Sequence, residues 1–323
     1  MQKAEHPEVF RGFLAKYANA KVAIATHNRA DTDAIASAFA LSKAIPGSVI
    51  CSDEEPNEGA KVLIGRLGIK TVPLASLRKE DFAGLAVVDT SAYTLIPNAK
   101  GWKLILVVDH HRSDGRDMKG EFEILDPDSP SASEIIANLI EIGPDVAFAL
   151  SVGIIADAAR FKSARAETFD TLGRLMKAAK AEYRELLEIA EPDPKPETQL
   201  AILTAMKRIE FVYAAGYIIA TTEVGSNESD AASLIADAAD VCFVAKWKDF
   251  EKETRISARA RKTVGVPLNK VMAQVAEVLG GAGGGHAKAA GAALKAHTDE
   301  SLKTCVEEFI RAAESGKGKT SGG

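Results

Sequence analysis

The chain has 323 residues and a mass of 34.2 kDa, which is enough to bury a sizeable core and favours two domains. Hydrophobic residues make up 46% and charged residues 26% of the chain, which is typical of a globular protein. The formal net charge of -5 argues against binding of a long nucleic-acid duplex through a broad basic surface, so any nucleic-acid partner is expected to be short.

Cysteine usage and hydropathy predict a cytoplasmic protein with no membrane partner. Cys51, Cys242 and Cys305 are widely separated and form no CxxC pair, which favours reduced structural thiols over disulfides or a thiolate zinc site. The first residues lack an apolar signal core, and no apolar stretch approaches the roughly 20 residues that span a bilayer. The sequence leaves the oligomeric state open, with a homodimer among the assemblies that it allows.

Four short apolar runs in the first third of the chain each end in polar or small residues. They span Val22 to Thr26, Ser48 to Ser52, Leu85 to Thr90 and Leu104 to His111. Helix-compatible segments lie between them, and continuous apolar runs interleaved with helices are typical of a parallel sheet buried on both faces. The sequence therefore predicts an α/β domain with a parallel sheet at the N-terminus.

Proline density marks the predicted domain boundary. Helices are predicted from Ser131 to about Ile189, and the segment EPDPKPE at 191–197 reads as an extended linker. We therefore assign residues 1–190 to the first domain and 198–314 to a smaller α/β domain. The latter is predicted to contain a helix over 198–212, a strand in GYIIATTEV, a helix around ASLIADAA and a strand over 241–245. The Gly, Ser and Lys residues of 315–323 predict a disordered tail.

Acidic and histidine side chains follow the predicted strands and one long apolar segment. In an open parallel sheet, ligands bind outside the carboxyl ends of the strands. Taken singly, these residues could cap helices or occupy turns. Five carboxylates at one rim would repel each other unless cations lay between them, and mixed carboxylate and imidazole ligands suit two Mn²⁺ ions, with Mg²⁺ or Co²⁺ as alternatives. The candidates are His27, Asp31, Asp33, Asp89, Asp109, His110, His111 and Asp157.

Five stretches in order along the chain carry a family resemblance. HNRADTDAIAS, VVDT, VVDHHRSDG and SVGIIADAARF resemble the four motifs of the DHH phosphoesterase superfamily, and GGAGGGHAKAAGA resembles the glycine-rich signature of its DHH-associated domain. The first motif departs from many relatives at Ala30 and the fourth at Ala158, neither of which replaces a metal ligand. The resemblance implies a DHH domain followed by a DHH-associated domain, with the active site in the cleft between them.

The resemblance also implies a role for each candidate. One metal would be held by His27, Asp31 and Asp89. The second would be held by Asp33, Asp89, His110 and Asp157, with Asp89 bridging. His111 would face the substrate phosphate, and Asp109 would be a supporting residue near the metals.

Two elements of the second domain are candidates for substrate binding. The glycines before His286, including Gly284 and Gly285, predict an anion-binding loop followed by a helix-compatible segment, and a flexible linker is the alternative. The alternating stretch RISARAR places arginines on one face of a strand. The family resemblance favours substrate contacts for Arg255 and Arg259, whereas a solvated strand edge is the alternative.

The resemblance implies hydrolysis of a phosphoester by a two-metal mechanism. Such a mechanism needs no covalent nucleophile, and no serine or cysteine of the sequence lies in a convincing nucleophilic arrangement. The two-domain organisation is similar to the oligoribonuclease and adenosine 3′,5′-bisphosphate phosphatase branch, so we expect hydrolysis of short oligonucleotides to mononucleotides. The alternatives are hydrolysis of a phosphorylated nucleotide such as the bisphosphate, of a linear or cyclic dinucleotide, or of polyphosphate. A non-catalytic binding or scaffold protein ranks below these, because the metal ligands are all present.

Overall fold

The computed structural model describes residues 5–111, 115–159 and 161–317, and the chain divides into two compact units, 1–193 and 194–323. The division lies within the segment 191–197 for which the sequence predicts a linker. Each unit contains one six-stranded sheet and its own hydrophobic core. No helix in the described ranges combines the length and apolar character needed to cross a bilayer.

The sheet of the first unit is parallel at every strand pair. Its strands are β1 (Val22–Ala25), β2 (Val49–Cys51), β3 (Thr71–Val72), β4 (Gly84–Val88), β5 (Leu104–Asp109) and β6 (Phe122–Leu125). The order β3-β2-β1-β4-β5-β6 places β1 and β4 side by side at the point where the winding direction reverses. Ligands bind at such a switch point in open parallel sheets. The predicted parallel α/β domain is confirmed, and the short edge strands β3 and β6 were not predicted.

The described residues of this unit form seven α-helices, which pack on the sheet or on one another. They are α1 (His6–Tyr17), α2 (Thr32–Ala44), α3 (Glu58–Leu67), α4 (Ala132–Ala137), α5 (Pro144–Asp157), α6 (Ala166–Ala179) and α7 (Tyr183–Ala190). Helix α5 is buried from Val146 to Ile155, and a Cβ added at Gly153 would lie 2.2 Å from Ser133 Oγ. The missing side chain at Gly153 therefore allows α5 to pack closely against α4.

The second unit has a mixed sheet with helices on both faces. Its elements are α8 (Pro196–Arg208), β7 (Glu210–Ala214), β8 (Tyr217–Glu223), α9 (Glu228–Ile235), β9 (Val241–Lys248), β10 (Glu253–Ala260), α10 (Leu268–Leu279), β11 (Gly281–Gly285), β12 (Ala289–Leu294) and α11 (Thr298–Lys317). The strand order is β11-β12-β10-β9-β8-β7, in which only β8 and β9 pair in parallel. Ala205 of α8 and Cys242 share one core, whereas Phe243, Met272 and Phe309 share the core on the other face.

Helix boundaries in the second unit differ from the prediction. The helix predicted over 198–212 ends at Arg208, and residues 210–214 form β7, because the apolar residues in this stretch suit either period. Helix α8 begins at Pro196, so the last two residues of the predicted linker are helical, which agrees with the preference for proline in a first helical turn. Helix α11 continues to Lys317 and includes the first three residues of the predicted tail, and residues 318–323 lie outside the described ranges.

The glycine-rich segment forms a hairpin, so the helix expected after His286 is a strand. Strands β11 and β12 pair antiparallel, with Gly284 opposite Gly291. A Cβ added at Gly283 would lie 2.1 Å from the carbonyl oxygen of Met272 in α10. Because Gly283 has no side chain, β11 can lie directly against α10 at this point. The sequence pattern gives no sign of this close contact.

Candidate metal centre

The eight predicted carboxylate and imidazole residues all lie at element ends of the first unit. His27 follows β1, Asp89 follows β4, and Asp109 ends β5 immediately before His110 and His111. Asp31 is the N-cap residue of α2, where its Oδ1 accepts a hydrogen bond from the Ala34 amide at 3.0 Å, and Asp33 lies in the first turn of α2. Asp157 is the last residue of α5.

The first ligand group consists of His27, Asp31 and Asp89. His27 Nε2 lies 3.4 Å from Asp89 Oδ2 and 3.8 Å from Asp31 Oδ2. One nitrogen or oxygen atom from each of the three residues lies within 4.8 Å of those of the other two. The group therefore offers one imidazole and two carboxylates to a single point.

The second group consists of Asp33, His110 and Asp157, whose ligand atoms also lie within 4.8 Å of one another. His110 Nε2 lies 3.1 Å from Asp157 Oδ2 and 3.3 Å from Asp89 Oδ1. Asp89 therefore directs one carboxylate oxygen toward His27 and the other toward His110. This buried carboxylate belongs to the first group and lies within 3.3 Å of His110 in the second, which is the position that a bridging ligand requires.

Backbone carbonyls orient both imidazoles. His27 Nδ1 lies 2.8 Å from Asn28 O, and His110 Nδ1 lies 3.3 Å from Ser129 O. A proton on each Nδ1 donates to its carbonyl, which directs Nε2 at the carboxylates, where loss of the second ring proton would free Nε2 to bind a metal. This is the arrangement by which a ligating histidine is usually fixed in proteins.

Backbone amides hold the carboxylate of Asp33. Its Oδ2 accepts a hydrogen bond from Ala132 N at 2.7 Å, and its Oδ1 accepts one from Ser133 N at 2.8 Å. Burial raises the pKa of Asp33 well above its usual range, and the nearby charges of Asp89 and Asp157 raise it further. The first turn of α4 therefore fixes the orientation of a carboxyl whose negative charge needs a compensating cation.

The carboxylates of the centre raise the pKa of both imidazoles. Burial lowers the pKa of His27, but hydrogen bonding to Asp31 and Asp89 outweighs that effect and raises the pKa to about 11. Burial also lowers the pKa of His110, but the close carboxylates of Asp157 and Asp89 outweigh that effect and raise the pKa to about 11. Burial raises the pKa of Asp89, but His110 and His27 outweigh it and lower the pKa to about 2. Divalent cations would replace these protons as the compensating charge.

Two buried atoms at the middle of the cluster test whether a metal fits. Asp89 Oδ1 and His110 Nε2 are both buried and lie 3.3 Å apart, but no contact of either atom within the described residues has the geometry of a hydrogen bond. Buried polar atoms are rarely left unpaired, and a cation between them would satisfy both. Asp89 also has a φ of 62°, a left-handed backbone conformation that costs on the order of 1 kcal/mol and clusters at functional sites. The donor set therefore fits hard or borderline divalent ions such as Mn²⁺.

Asp109 and His111 have a different environment. Asp109 Oδ2 accepts a hydrogen bond from Ser91 Oγ at 2.6 Å, and Oδ1 lies 2.8 Å from His111 Nδ1. Hydrogen bonding to Asp109 raises the pKa of His111, whose side chain is 57% exposed. His111 Nδ1 lies 3.8 Å from Asp89 Oδ1, and Asp89, His110 and His111 form a third group whose ligand atoms lie within 4.8 Å of one another.

Several residues of this centre were not predicted. The amides of Ala132 and Ser133, the carbonyl of Ser129 and the hydroxyl of Ser91 carry no distinctive side-chain pattern in the sequence. The one available signal was SASE at 131–134, which matches a capping box and marks a helix start. Ser131 does cap α4, because its Oγ accepts a hydrogen bond from the Glu134 amide at 3.0 Å.

The candidate substrate residues of the second unit are only partly gathered. A cavity of about 450 Å³ is lined by Arg255 and Gly284 together with Ser229 and Ser257, among others. Arg259 donates to Ser229 Oγ at 2.8 Å and to the Ala258 carbonyl at 3.0 Å, so it borders this cavity through Ser229. Gly285 ends β11 and His286 lies in the following turn, and neither is among the residues that line the cavity.

Fold and site together define a two-unit α/β protein with a candidate dinuclear metal centre in the first unit. Residues 21–160 match the model of the DHH family N-terminal domain, and residues 216–315 match the DHHA1 domain. The chain belongs to the DHH family of phosphoesterases. The family resemblance carried by the sequence motifs is thereby confirmed.

Three similar proteins support the family and fold. An uncharacterized protein of Methanocaldococcus jannaschii is 32% identical over 224 residues, which cover 64% of this chain and 67% of that protein. An exopolyphosphatase-related protein from Bacteroides fragilis has a TM-score of 0.78 at 15% identity, with 96% of this chain and 98% of that chain covered. RecJ from Thermus thermophilus in complex with Mn²⁺ has a TM-score of 0.52 at 14% identity, with 97% and 55% covered. At these identities the two structures show a shared fold.

Proposed function

We propose that this protein is a two-metal phosphodiesterase that hydrolyses short oligonucleotides to mononucleotides. The observation that carries the proposal is the shared carboxylate of Asp89, which lies between two groups of metal-ligating side chains. Paired divalent sites bridged by one carboxylate suit displacement at phosphorus. Mn²⁺ is the proposed ion because carboxylate and imidazole ligands are mixed, and Mg²⁺ and Co²⁺ are the alternatives.

His27, Asp31 and Asp89 would hold one ion, and Asp33, His110 and Asp157 would hold the other together with Asp89. When bound, the two ions would lower the pKa of an attacking water and stabilise negative charge on the phosphate oxygens. The chain itself orients the ligands, through the Asn28 and Ser129 carbonyls and through the amides that bind Asp33.

His111 is the proposed phosphate-binding residue, and Asp109 is its positioning residue. Hydrogen bonding to Asp109 raises the pKa of His111, which favours the protonated imidazole, and the exposed side chain can donate a hydrogen bond to an anionic oxygen. Asp109 accepts a hydrogen bond from the His111 amide at 3.0 Å, which fixes the direction of the backbone at this point. A cation held in this way would bind the substrate phosphate and stabilise its developing charge.

A short substrate agrees with the charge and the cavity of the second unit. The net charge of -5 gives no general attraction for a long polyanion, and a cavity of about 450 Å³ lies within the range of small-molecule sites. We propose Arg255, Arg259 and the glycine-rich hairpin with Gly284, Gly285 and His286 as the substrate contacts.

The three free cysteines, all buried, support a cytoplasmic location.

The proposal is tested by one Mn²⁺-dependent assay across RNA dimers to pentamers, adenosine 3′,5′-bisphosphate, cyclic dinucleotides, polyphosphate and long single-stranded DNA. We expect kcat/KM to be at least tenfold higher for the short RNAs than for the other substrates. A preference for polyphosphate or long DNA would contradict the substrate. Bound Mn²⁺ without hydrolysis of any substrate would instead support a non-catalytic binding protein. Unchanged hydrolysis and Mn²⁺ binding in Asp89→Ala would show that the two-metal interpretation is wrong.

A further inference from the structure

Large apolar side chains are exposed at one end of the second unit, on α8 and on the strands next to it. Phe211 and Tyr213 of β7 are 76% and 74% exposed. Large patches of this kind mark interaction sites, whereas single exposed apolar residues need no explanation. We define the apolar edge surface as Leu200, Leu203, Met206, Phe211, Tyr213 and Ile218.

These side chains lie on the same face of the sheet. Phe211 pairs with Ala220, and Tyr213 pairs with Ile218. Because residues two apart on a strand point to the same side, all four side chains project from the same face of the sheet. Ala220 shares a core with Ala205 of α8, which assigns this face to α8. Helix α8 buries Ala201 and Ala205 and exposes Leu200, Leu203 and Met206 at helical spacing, and a single residue separates its end from β7.

Strand β7 is also the edge of its sheet. It is the last strand in the order of the described strands and pairs there with β8 alone. An exposed edge strand offers a row of backbone donors and acceptors to another strand, and proteins commonly blunt such edges with lysine, proline or a bulge. The sequence of β7, EFVYA, contains neither lysine nor proline, and its pairing with β8 runs without a shift in register.

We propose that two copies of this chain form a dimer in which their β7 strands pair antiparallel about Val212. This register is self-complementary, because Phe211 lies opposite the partner's Tyr213 and Tyr213 lies opposite the partner's Phe211. Aromatic cross-strand pairs stabilise antiparallel sheets. Glu210 lies opposite the partner's Ala214, so no like charges meet. A two-fold axis through Val212, perpendicular to the sheet, also keeps both α8 helices on the same face.

The area of this surface is sufficient for a specific dimer. Aromatic side chains bury about 150–250 Å² each, so Phe211 and Tyr213 together expose roughly 300 Å². The four aliphatic members are two-fifths to two-thirds exposed and bring the total to roughly 500–600 Å² per chain. Complete burial of this surface in two copies would cover about 1,100 Å², which is close to the roughly 1,000 Å² expected of a biological interface.

A disulfide tests the register. At the two-fold axis, Val212 and the partner's Val212 lie directly opposite, about 4.5–5.5 Å apart at Cα, which is within the range of a disulfide. The Val212→Cys variant should therefore form a covalent dimer under mild oxidation. The matched control is Ala214→Cys on the same strand, because its two copies lie about 14 Å apart and cannot be bridged. The native cysteines are all buried, so they give little background.

Sedimentation measures the interface without a covalent bond. The wild-type chain should dimerise reversibly, and Phe211→Lys and Tyr213→Lys should each weaken the dimer at least tenfold. Phe250→Lys is the control, because Phe250 is fully exposed between β9 and β10, outside the apolar edge surface. All three variants should retain the wild-type circular dichroism spectrum and melting temperature, which report an intact fold of the second unit. A wild-type chain that is monomeric at every concentration would overturn the proposal. A dimer that resists both lysine variants, or one in which Ala214→Cys is cross-linked as readily as Val212→Cys, would also overturn it.

Discussion

Replacing Asp89 with asparagine should separate two contributions of this residue. The substitution keeps the size of the side chain and tolerates the left-handed backbone at φ 62°, because asparagine is among the residues that adopt this region. It removes the negative charge that compensates His27 and His110 in the metal-free protein. It also weakens the carboxylate that lies between His27 and His110 and that is proposed to bridge the two metals. Stability and metal uptake should therefore both change.

The size of the stability effect follows from the pKa. The pKa of Asp89 is lowered from 3.8 to about 2 in the folded protein. A carboxyl with a lowered pKa stabilises the fold above its unfolded pKa, and the contribution is lost as the pH falls from about 4 to about 2. Because Asp89 is 2% exposed, little solvent screening applies, and the shift corresponds to roughly 2 kcal/mol of unfolding free energy at pH 7.

Urea unfolding with and without Mn²⁺ measures both contributions. Metal-free Asp89→Asn should lose roughly 2 kcal/mol at pH 7, and this difference from the wild type should shrink below pH 4. Mn²⁺ at about 100 times its dissociation constant should stabilise the wild type by about 2.7 kcal/mol. It should stabilise the variant by much less.

Asp109→Asn is the matched control for this experiment. Asp109 is equally buried and also has a lowered pKa, but it bonds Ser91 and His111 and is absent from the ligand groups found in the described residues. We expect it to lose stability and to keep stabilisation by Mn²⁺. The reasoning would be refuted if Asp89→Asn kept the full Mn²⁺ effect, or if both variants lost it equally.

Further variants and titrations test the separate parts of the account. His110→Ala should weaken Mn²⁺ binding about tenfold or more, whereas His111→Ala should lower kcat with Mn²⁺ still bound. Calorimetry measures the binding of Mn²⁺ to both variants, and equal loss of binding would show that the roles of His110 and His111 are wrongly separated. Because His27 and His110 have pKa values of about 11 without metal, Mn²⁺ uptake at pH 7 should release protons and weaken as the pH falls. Calorimetry in two buffers of different ionisation enthalpy measures this release, and its absence would contradict the protonated state. A Cβ added at Gly284 meets no atom within 4 Å, so Gly284→Ala should keep the melting temperature, and it should raise KM for short RNA because the new methyl group enters the cavity. Gly283→Ala should instead lower the melting temperature, because its Cβ would lie 2.1 Å from a backbone oxygen. Unchanged KM in Gly284→Ala would remove this cavity from the substrate path.

The parallel sheet of the first unit was predictable because its central strands are continuous apolar runs. Strands β1, β4 and β5 are buried along their whole length, which is the environment that such runs require. Strand β3 has two residues and β6 is only partly buried, so neither produces a clear pattern. The stretch after Arg208 was predicted as helix, because its apolar residues fit a helical as well as an alternating period.

The side chains of the candidate site were predictable to a greater extent than the backbone that supports them. The motifs named every side chain of the two ligand groups, because carboxylates and imidazoles at strand ends are visible in a sequence. The amides that bind Asp33 depend on how α4 meets α2, a tertiary contact without a local signature, and the positive φ of Asp89 likewise has no local pattern in the sequence. The glycine-rich hairpin was missed for a related reason, since glycine carries no hydrophobic period and its strand is defined by close contact with α10.

Anomalous diffraction from crystals grown with Mn²⁺ tests the central claim most directly. The account predicts two peaks in each chain, about 3.5–4 Å apart on either side of Asp89. One peak should lie among His27, Asp31 and Asp89, and the other among Asp33, His110 and Asp157. A single peak at full occupancy, or two peaks that do not share Asp89, would contradict a dinuclear centre bridged by this carboxylate.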